Sequence, residues 1–133
     1  DVNYAVPEDC NKIYSLLYNN FSPITDRLPD MNGIVDMINN RQIIVNRDNH
    51  NCVVGLSIFT VESKYKGYMN AWIDLSHSGR GIFLLYSVYK LLLDRGIHYA
   101  YFWVREGNDA VVKMHKLLGA KFDGLVDYTF LKV

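Results

Sequence analysis

The chain has 133 residues, half of them hydrophobic, and its 14 basic residues balance 14 acidic ones. This length and composition are typical of a single globular domain and exclude a disordered chain. The zero net charge removes the general electrostatic reason to expect nucleic acid or an anionic membrane as a partner.

The first half of the chain predicts a short strand, two helices and a hairpin. Pro7 suits the first position of a helix, and Asp30 suits the residue that caps a second one. Apolar residues of that second helix recur at helical spacing from Met31 to Ile38. The predicted strands lie at residues 3–6, 42–45 and 52–61.

The second half predicts a strand at 68–75, a loop at 76–81, a helix at 82–95, a strand at 99–104 and a helix at 109–118. Gly96 and Gly119 are natural stops for the two helices. Residues 121–133 are strand-like around a turn. The expected fold is therefore α/β (mixed α+β), with a mixed sheet of six or seven strands flanked by about four helices in one domain over residues 1–133.

The most informative stretch is the loop at 76–81, which reads Ser-His-Ser-Gly-Arg-Gly before the apolar helix. Gly79 and Gly81 let the backbone curl tightly, and the first amides of the helix have no partners within it. Such a site suits an anionic phosphate, to which Arg80 adds charge. The pattern is neither a nucleotide P-loop nor Gly-x-Gly-x-x-Gly, and a glycine-rich stretch before a helix is more often an ordinary turn.

The region from Ser76 to Gly119 resembles the core of the GNAT superfamily of N-acetyltransferases. The family's loop pattern is Gln/Arg-x-x-Gly-x-Gly/Ala, whose two small positions match Gly79 and Gly81, and the match continues to Gly119 without a gap. The further matches are the pair Leu84-Leu85, the helix stop Gly96, the hydrophobic strand Tyr101-Phe102-Trp103-Val104, Asn108, and Lys116-Leu117-Leu118-Gly119.

The resemblance implies transfer of an acetyl group from acetyl-CoA to a primary amine of a small molecule or protein. No metal is implied, and the histidines lack metal-ligand spacing. The resemblance implies that acetyl-CoA is bound by Ile73, Leu75, His77, Ser78, Gly79, Arg80, Gly81 and Asn108. It implies no code for the acceptor, which is set by loops at 21–29 and 62–67 and by the last hairpin.

Two catalytic residues are expected on the same analogy. His115 stands where the family usually has a tyrosine acid, and an imidazole can protonate a thiolate; it is equally explained as a core residue of its helix. Asp74 is a candidate base that takes a proton from the amine, and Glu62 is a weaker candidate. Two alternatives also remain: a base that acts through a water molecule, and a reaction without any base. Tyr65 and Tyr68 either line an acceptor pocket or pack on their strands.

Departures from the family pattern keep a second hypothesis open. Ser76 replaces the usual Gln or Arg, His115 replaces the tyrosine, and the customary proline before the loop is missing. The alternative is a catalytically degenerate GNAT-like module that binds a ligand or a partner protein.

The setting of the chain is inferred from simple features. Cys10 and Cys52 have no CxxC neighbour, which favours reduced thiols and a cytoplasmic location. The helix at 82–93 is apolar nearly all round, so it is either buried on two sides or part of a dimer; a monomer and a homodimer both fit. A start at Asp1 rather than Met is what a domain excised from a longer chain shows.

Overall fold

The fold is described from a computed structural model, in which residues 1–24, 27–74, 81–102 and 109–119 are placed. These residues fall into two compact units, Asp1–Trp103 and Val104–Val133. The first unit carries a mixed five-stranded sheet, which confirms the predicted α+β class. The further strands predicted at 121–133 lie outside the described residues.

The sheet follows the chain in its order, β1-β2-β3-β4-β5. Its first four strands are antiparallel and the fifth is parallel to β4. The strands are β1 (Val2–Tyr4), β2 (Ile43–Arg47), β3 (Val53–Ser63), β4 (Lys66–Asp74) and β5 (Tyr99–Phe102). The parallel pair needs a crossover connection, and α3 (Gly81–Asp94) lies in it.

The hairpin between β3 and β4 corrects one prediction. Residues 62–67 were expected to form a loop, but β3 runs to Ser63 and β4 starts at Lys66. Only Lys64 and Tyr65 form the turn between the strands. Charged residues here hide the strand pattern, because residues 61–66 are all exposed and only Gly67 is buried.

Two helices cover one face of the sheet. A short 3-10 helix (Pro7–Asp9) leads into α1 (Cys10–Asn20), and α2 (Met31–Asn39) follows. Asp30 caps α2 as predicted, since its Oδ1 accepts a hydrogen bond from the Gly33 amide at 2.8 Å. Their buried side chains form one core with the inward side chains of the sheet: Ile13, Leu16, Leu17, Ile34, Ile38, Ile43, Val45, Leu56 and Ile58.

An ion pair ties the start of α1 to β2. The buried carboxylate of Asp9 contacts the guanidinium of Arg47 and accepts a hydrogen bond from the Val6 amide at 2.9 Å. Burial raises the pKa of Asp9. The hydrogen bonds from Arg47 and Val6 and the charge of Arg47 together lower that pKa by a larger amount, so it lies below its ordinary value. Asp9 therefore stays ionised at neutral pH.

The crossover helix α3 buries Leu84, Leu85, Val88 and Leu92, while Tyr86 and Leu93 remain about half exposed. It ends as predicted, because Gly96 has a φ of +85°, which a residue with a Cβ adopts only with strain. In the second unit, α4 (Asp109–Leu117) is followed by Gly119 at a φ of +95°. None of the helices in the described residues is both long and apolar enough to cross a bilayer.

Candidate functional site

β4 lies between β3 and β5 in the sheet. Pairing with β3 extends to Asp74, which lies opposite Gly55. The described pairing with β5 runs from Lys66, opposite Tyr99, to Met69, opposite Phe102.

A β-bulge lies within β4, in its ladder with β3. Ile58 pairs with Ala71 and Phe59 pairs with Met69, so Asn70 is an extra residue on β4. A bulge bends its strand and increases the local twist. β4 therefore bends at Asn70, four residues before Asp74.

The predicted phosphate site lies between β4 and α3. Gly81 is the first residue of α3, a helix of 14 residues whose first amides have no partners within the helix. Ile73 and Asp74 are the last two described residues of β4. The other predicted cofactor-binding residues lie outside the described residues: Leu75, His77, Ser78, Gly79, Arg80 and Asn108.

The predicted acid, His115, lies in the last two turns of α4, which belongs to the second unit. The described part of α4 begins at Asp109, an acidic residue in the first turn, where the helix dipole favours a negative charge. The prediction that His115 acts as an acid concerns its side chain, which lies outside the described residues.

The two candidate bases lie far apart. Glu62 is an extra residue in β3, because Val61 pairs with Gly67 and Ser63 pairs with Lys66. Asp74 is at the other end of the same ladder, eight residues beyond Lys66 on β4. At about 3.3 Å per residue this separation is about 26 Å, so a single thioester cannot be served by both.

A cluster of tyrosines lies beside Glu62. The rings of Tyr68 and Tyr101 stack with centroids 5.0 Å apart, and the Tyr101 hydroxyl donates a hydrogen bond to Glu62 Oε1. That hydrogen bond, with the carboxylate charge, raises the pKa of Tyr101 to about 12. Burial, and then the Glu62 charge, raise the pKa of Tyr68. Both phenols therefore keep their protons at neutral pH and can donate hydrogen bonds.

Sequence reasoning noticed Tyr68 but missed its partners. Lys66 and Tyr68 on β4 lie on the same face of the sheet as Tyr99 and Tyr101 on β5. This common face can be recognised in the sequence only once the parallel register of the two strands is known.

In the described residues, no three His, Cys, Asp or Glu side chains come close enough together to hold a metal ion.

Comparisons with known proteins agree on the architecture. No family model matches the chain, and no curated protein is similar to it in sequence. Among solved structures, a ribosomal-protein-alanine N-acetyltransferase from Brucella melitensis is 18% identical, with a TM-score of 0.70 over 90% of this chain and 83% of its own. The protein yncA from Salmonella typhimurium, solved with its cofactor acetyl-CoA, is 20% identical, with a TM-score of 0.72 over 90% and 78%.

A third similar structure is Rv2747 from Mycobacterium tuberculosis, solved with CoA and NLQ. It is 14% identical and has a TM-score of 0.70 over 85% of this chain and 69% of its own. Low identity with a well-superposed backbone is evidence about the fold, because function depends on the residues of a site. The element order, the mixed sheet and these likenesses together identify the fold of the chain as that of the GNAT superfamily of N-acetyltransferases.

Proposed function

We propose that the chain transfers an acetyl group from acetyl-CoA to a primary amine by direct attack in a ternary complex. One observation carries the proposal: β4 is bent by the bulge at Asn70 and is followed in the chain by α3, the crossover helix to the parallel strand β5. This arrangement provides a place for an elongated ligand beside β4 and an anion site at the helix N-terminus. Acetyl-CoA has both an elongated arm and a pyrophosphate.

The proposed cofactor-binding residues are those that the sequence resemblance implies. The backbone of Ile73 and Leu75 lines the thioester and the pantetheine arm, and Asn108 orders the cofactor. The amides from His77 through Ser78, Gly79 and Arg80 to Gly81 hold the pyrophosphate at the positive end of the α3 dipole. The Arg80 guanidinium adds a full positive charge to these partial charges.

The reaction needs few chemical groups. The lone pair of the neutral amine forms a C–N bond with the thioester carbonyl carbon, and the C–S bond then breaks. Asp74 takes the proton released by the amine, and His115 gives a proton to the departing thiolate. Backbone amides at the end of β4 stabilise the negative charge that develops on the carbonyl oxygen.

Acetyl-CoA and free CoA should both raise the thermal unfolding temperature, whereas ATP should not. A ligand present at one hundred times its dissociation constant adds about 2.7 kcal/mol to the free energy of unfolding. For a domain of this size the expected rise in Tm is about 10 °C. Differential scanning calorimetry of the chain with each ligand measures it.

ATP is the control for non-specific binding of phosphates. An equal shift with ATP would point to a general anion site, and no shift with either CoA species at millimolar concentration would refute the proposed function. A rise in Tm without acetylation of any amine would instead favour the catalytically degenerate module. The departures from the family pattern at Ser76 and His115 support that alternative.

Replacing His115 with alanine should lower kcat about a hundredfold and leave the Tm shift by acetyl-CoA unchanged. A general acid contributes an effect of this size because it protonates the leaving group in the transition state. His115→Tyr should restore most of the rate, since a phenol can donate the same proton. The measurement is steady-state release of CoA with a panel of primary amines.

The matched control is His98→Ala, which removes an exposed histidine that follows α3 and packs against Tyr65. Its kcat should equal that of the parent chain. Equal rates for the parent and His115→Ala would exclude the acid role and leave His115 as a residue of the helix core.

A further inference from the structure

Two arginines converge on one aromatic ring at the end of the sheet where β1 ends. The Cζ atom of Arg41 lies 4.4 Å from the centroid of the Tyr4 ring, and that of Arg95 lies 5.8 Å from the same centroid. Arg41 is in the turn between α2 and β2, whereas Arg95 directly follows α3. We call Arg41 and Arg95 the arginine pair. The fold thus brings two positive charges to the same ring from distant parts of the chain.

The guanidinium of Arg95 has fixed neighbours. Its Nη1 donates a hydrogen bond to the backbone carbonyl of Arg41, which ties the two arginines to each other. Its Cζ atom also lies 5.2 Å from the centroid of the buried Phe59 ring. Contacts of a guanidinium with ring faces are favourable because the ring face is electron-rich. Arg95 is therefore held beside Arg41 by a backbone acceptor and by two rings.

Arg41 occupies a backbone position that favours glycine. Its φ is 57°, in the left-handed region, and it directly follows Asn40, the C-cap of α2. The Arg41 amide donates to the Ile38 carbonyl at 3.0 Å, and the Gln42 amide donates to the Met37 carbonyl at 2.9 Å. These two hydrogen bonds define a Schellman motif, in which the left-handed residue is usually glycine. An arginine is strained there, which points to a purpose of its side chain beyond ending the helix.

The positive charges of the pair are not neutralised by acidic side chains. In the part of the chain that the structure describes, neither guanidinium forms an ion pair with a carboxylate. Arg41 is exposed, and its guanidinium donates no hydrogen bond to another described residue. The carboxyl ends of α2 and α3 supply only partial negative charge. Neighbouring guanidinium groups with free N–H donors are suited to bind an oxyanion through charge-assisted hydrogen bonds.

We propose that the arginine pair binds a doubly charged oxyanion beside the face of Tyr4, as carried by a phosphate monoester or a dicarboxylate. The site is separate from the proposed cofactor site. Phe59 lies opposite Met69 on β4, and Asp74 lies five residues further along that strand. This separation corresponds to about 16 Å at the usual rise per residue. The inference therefore does not depend on the proposed function.

The test is an NMR titration of the side-chain Nε–Hε resonances of Arg41 and Arg95. Methyl phosphate and malonate are added separately, with chloride keeping the ionic strength constant. Both resonances should shift together and saturate with at least one of the two anions. The readout is local, so an anion that binds at the N-terminus of α3 does not imitate the result. The anion that binds more tightly assigns the site to phosphate monoesters or to dicarboxylates.

Arg41→Gly separates anion binding from folding. It should weaken binding at Arg95 about tenfold or more, because charge-assisted hydrogen bonds to the anion are lost. The backbone carbonyl that accepts from Arg95 remains, and glycine adopts the left-handed conformation without strain. The Tm of this variant in chloride should therefore equal or exceed that of the parent chain. A lower Tm would count against the inference, since Arg41 would then serve the fold.

Arg27→Gly is the matched control, because it removes an exposed arginine from the loop between α1 and α2. It makes the same change in net charge and should leave the titration as it is in the parent chain. Resonances that do not saturate with either anion would overturn the inference. Equal binding at Arg95 in the parent and in Arg41→Gly would do so too, as would an equal loss of binding in Arg27→Gly and Arg41→Gly.

Discussion

Deleting Asn70 should abolish the stabilisation by acetyl-CoA and leave a cooperatively folded chain. Asn70 is the extra residue of the β4 bulge, so its deletion preserves the pairs Ile58–Ala71 and Phe59–Met69 and makes the ladder regular. Without the bulge, β4 loses its bend at Asn70. The stabilisation of about 2.7 kcal/mol expected from cofactor at one hundred times its dissociation constant should disappear, as measured by calorimetry.

Asn70→Ala is the control for this deletion. It removes the side chain but keeps the number of residues, so the bulge and the Tm shift should remain. A deletion variant that responds to acetyl-CoA as the parent does would show that the bulge is not required for cofactor binding. Circular dichroism of both variants establishes that the sheet is intact.

Truncating Phe59 to alanine should lower the free energy of unfolding by about 3–5 kcal/mol. The ring is only 1% exposed, and the Arg95 guanidinium lies 5.2 Å from its centroid. The Phe59 backbone is also fixed, since its amide donates to the Gln42 carbonyl and its carbonyl accepts from Gln42 Nε2. The cavity therefore cannot close easily. Urea unfolding followed by fluorescence measures the loss.

Val61→Ala provides the comparison, because Val61 lies two residues further along the same strand and is 40% exposed. Its truncation should cost less than about 1 kcal/mol, since exposed positions lose little buried surface. A similar loss at both positions would mean that the core does not extend under Phe59 as described.

Local signals were sufficient for the helices. Asp30 predicted the start of α2 because its side chain bonds an amide only three residues away. Gly96 predicted the end of α3 because a left-handed residue is needed there. Both features depend on neighbours in the chain, so a sequence contains all the information that they require.

The site depended on contacts that are distant in the chain. The bulge at Asn70 exists because Ala71 and Met69 pair with the adjacent residues Ile58 and Phe59 of β3. The residue types in β4 do not predict it. The rings of Tyr68 and Tyr101 stack because β5 pairs in parallel with β4 and brings Tyr101 beside Tyr68. The end of the hairpin was missed for a related reason, since Glu62 and Lys66 have no hydrophobic alternation around them.

The order of the sheet has a consequence for how the chain folds. Strands β2, β3 and β4 are joined by short turns. Their contacts close small loops, so pairing these strands costs little conformational entropy. The β1–β2 and β4–β5 pairs close much longer segments, which makes their formation slow. The meander of β2 to β4 therefore forms first, and the outer strands β1 and β5 dock later, so the ladder beside the proposed site is completed only after the meander.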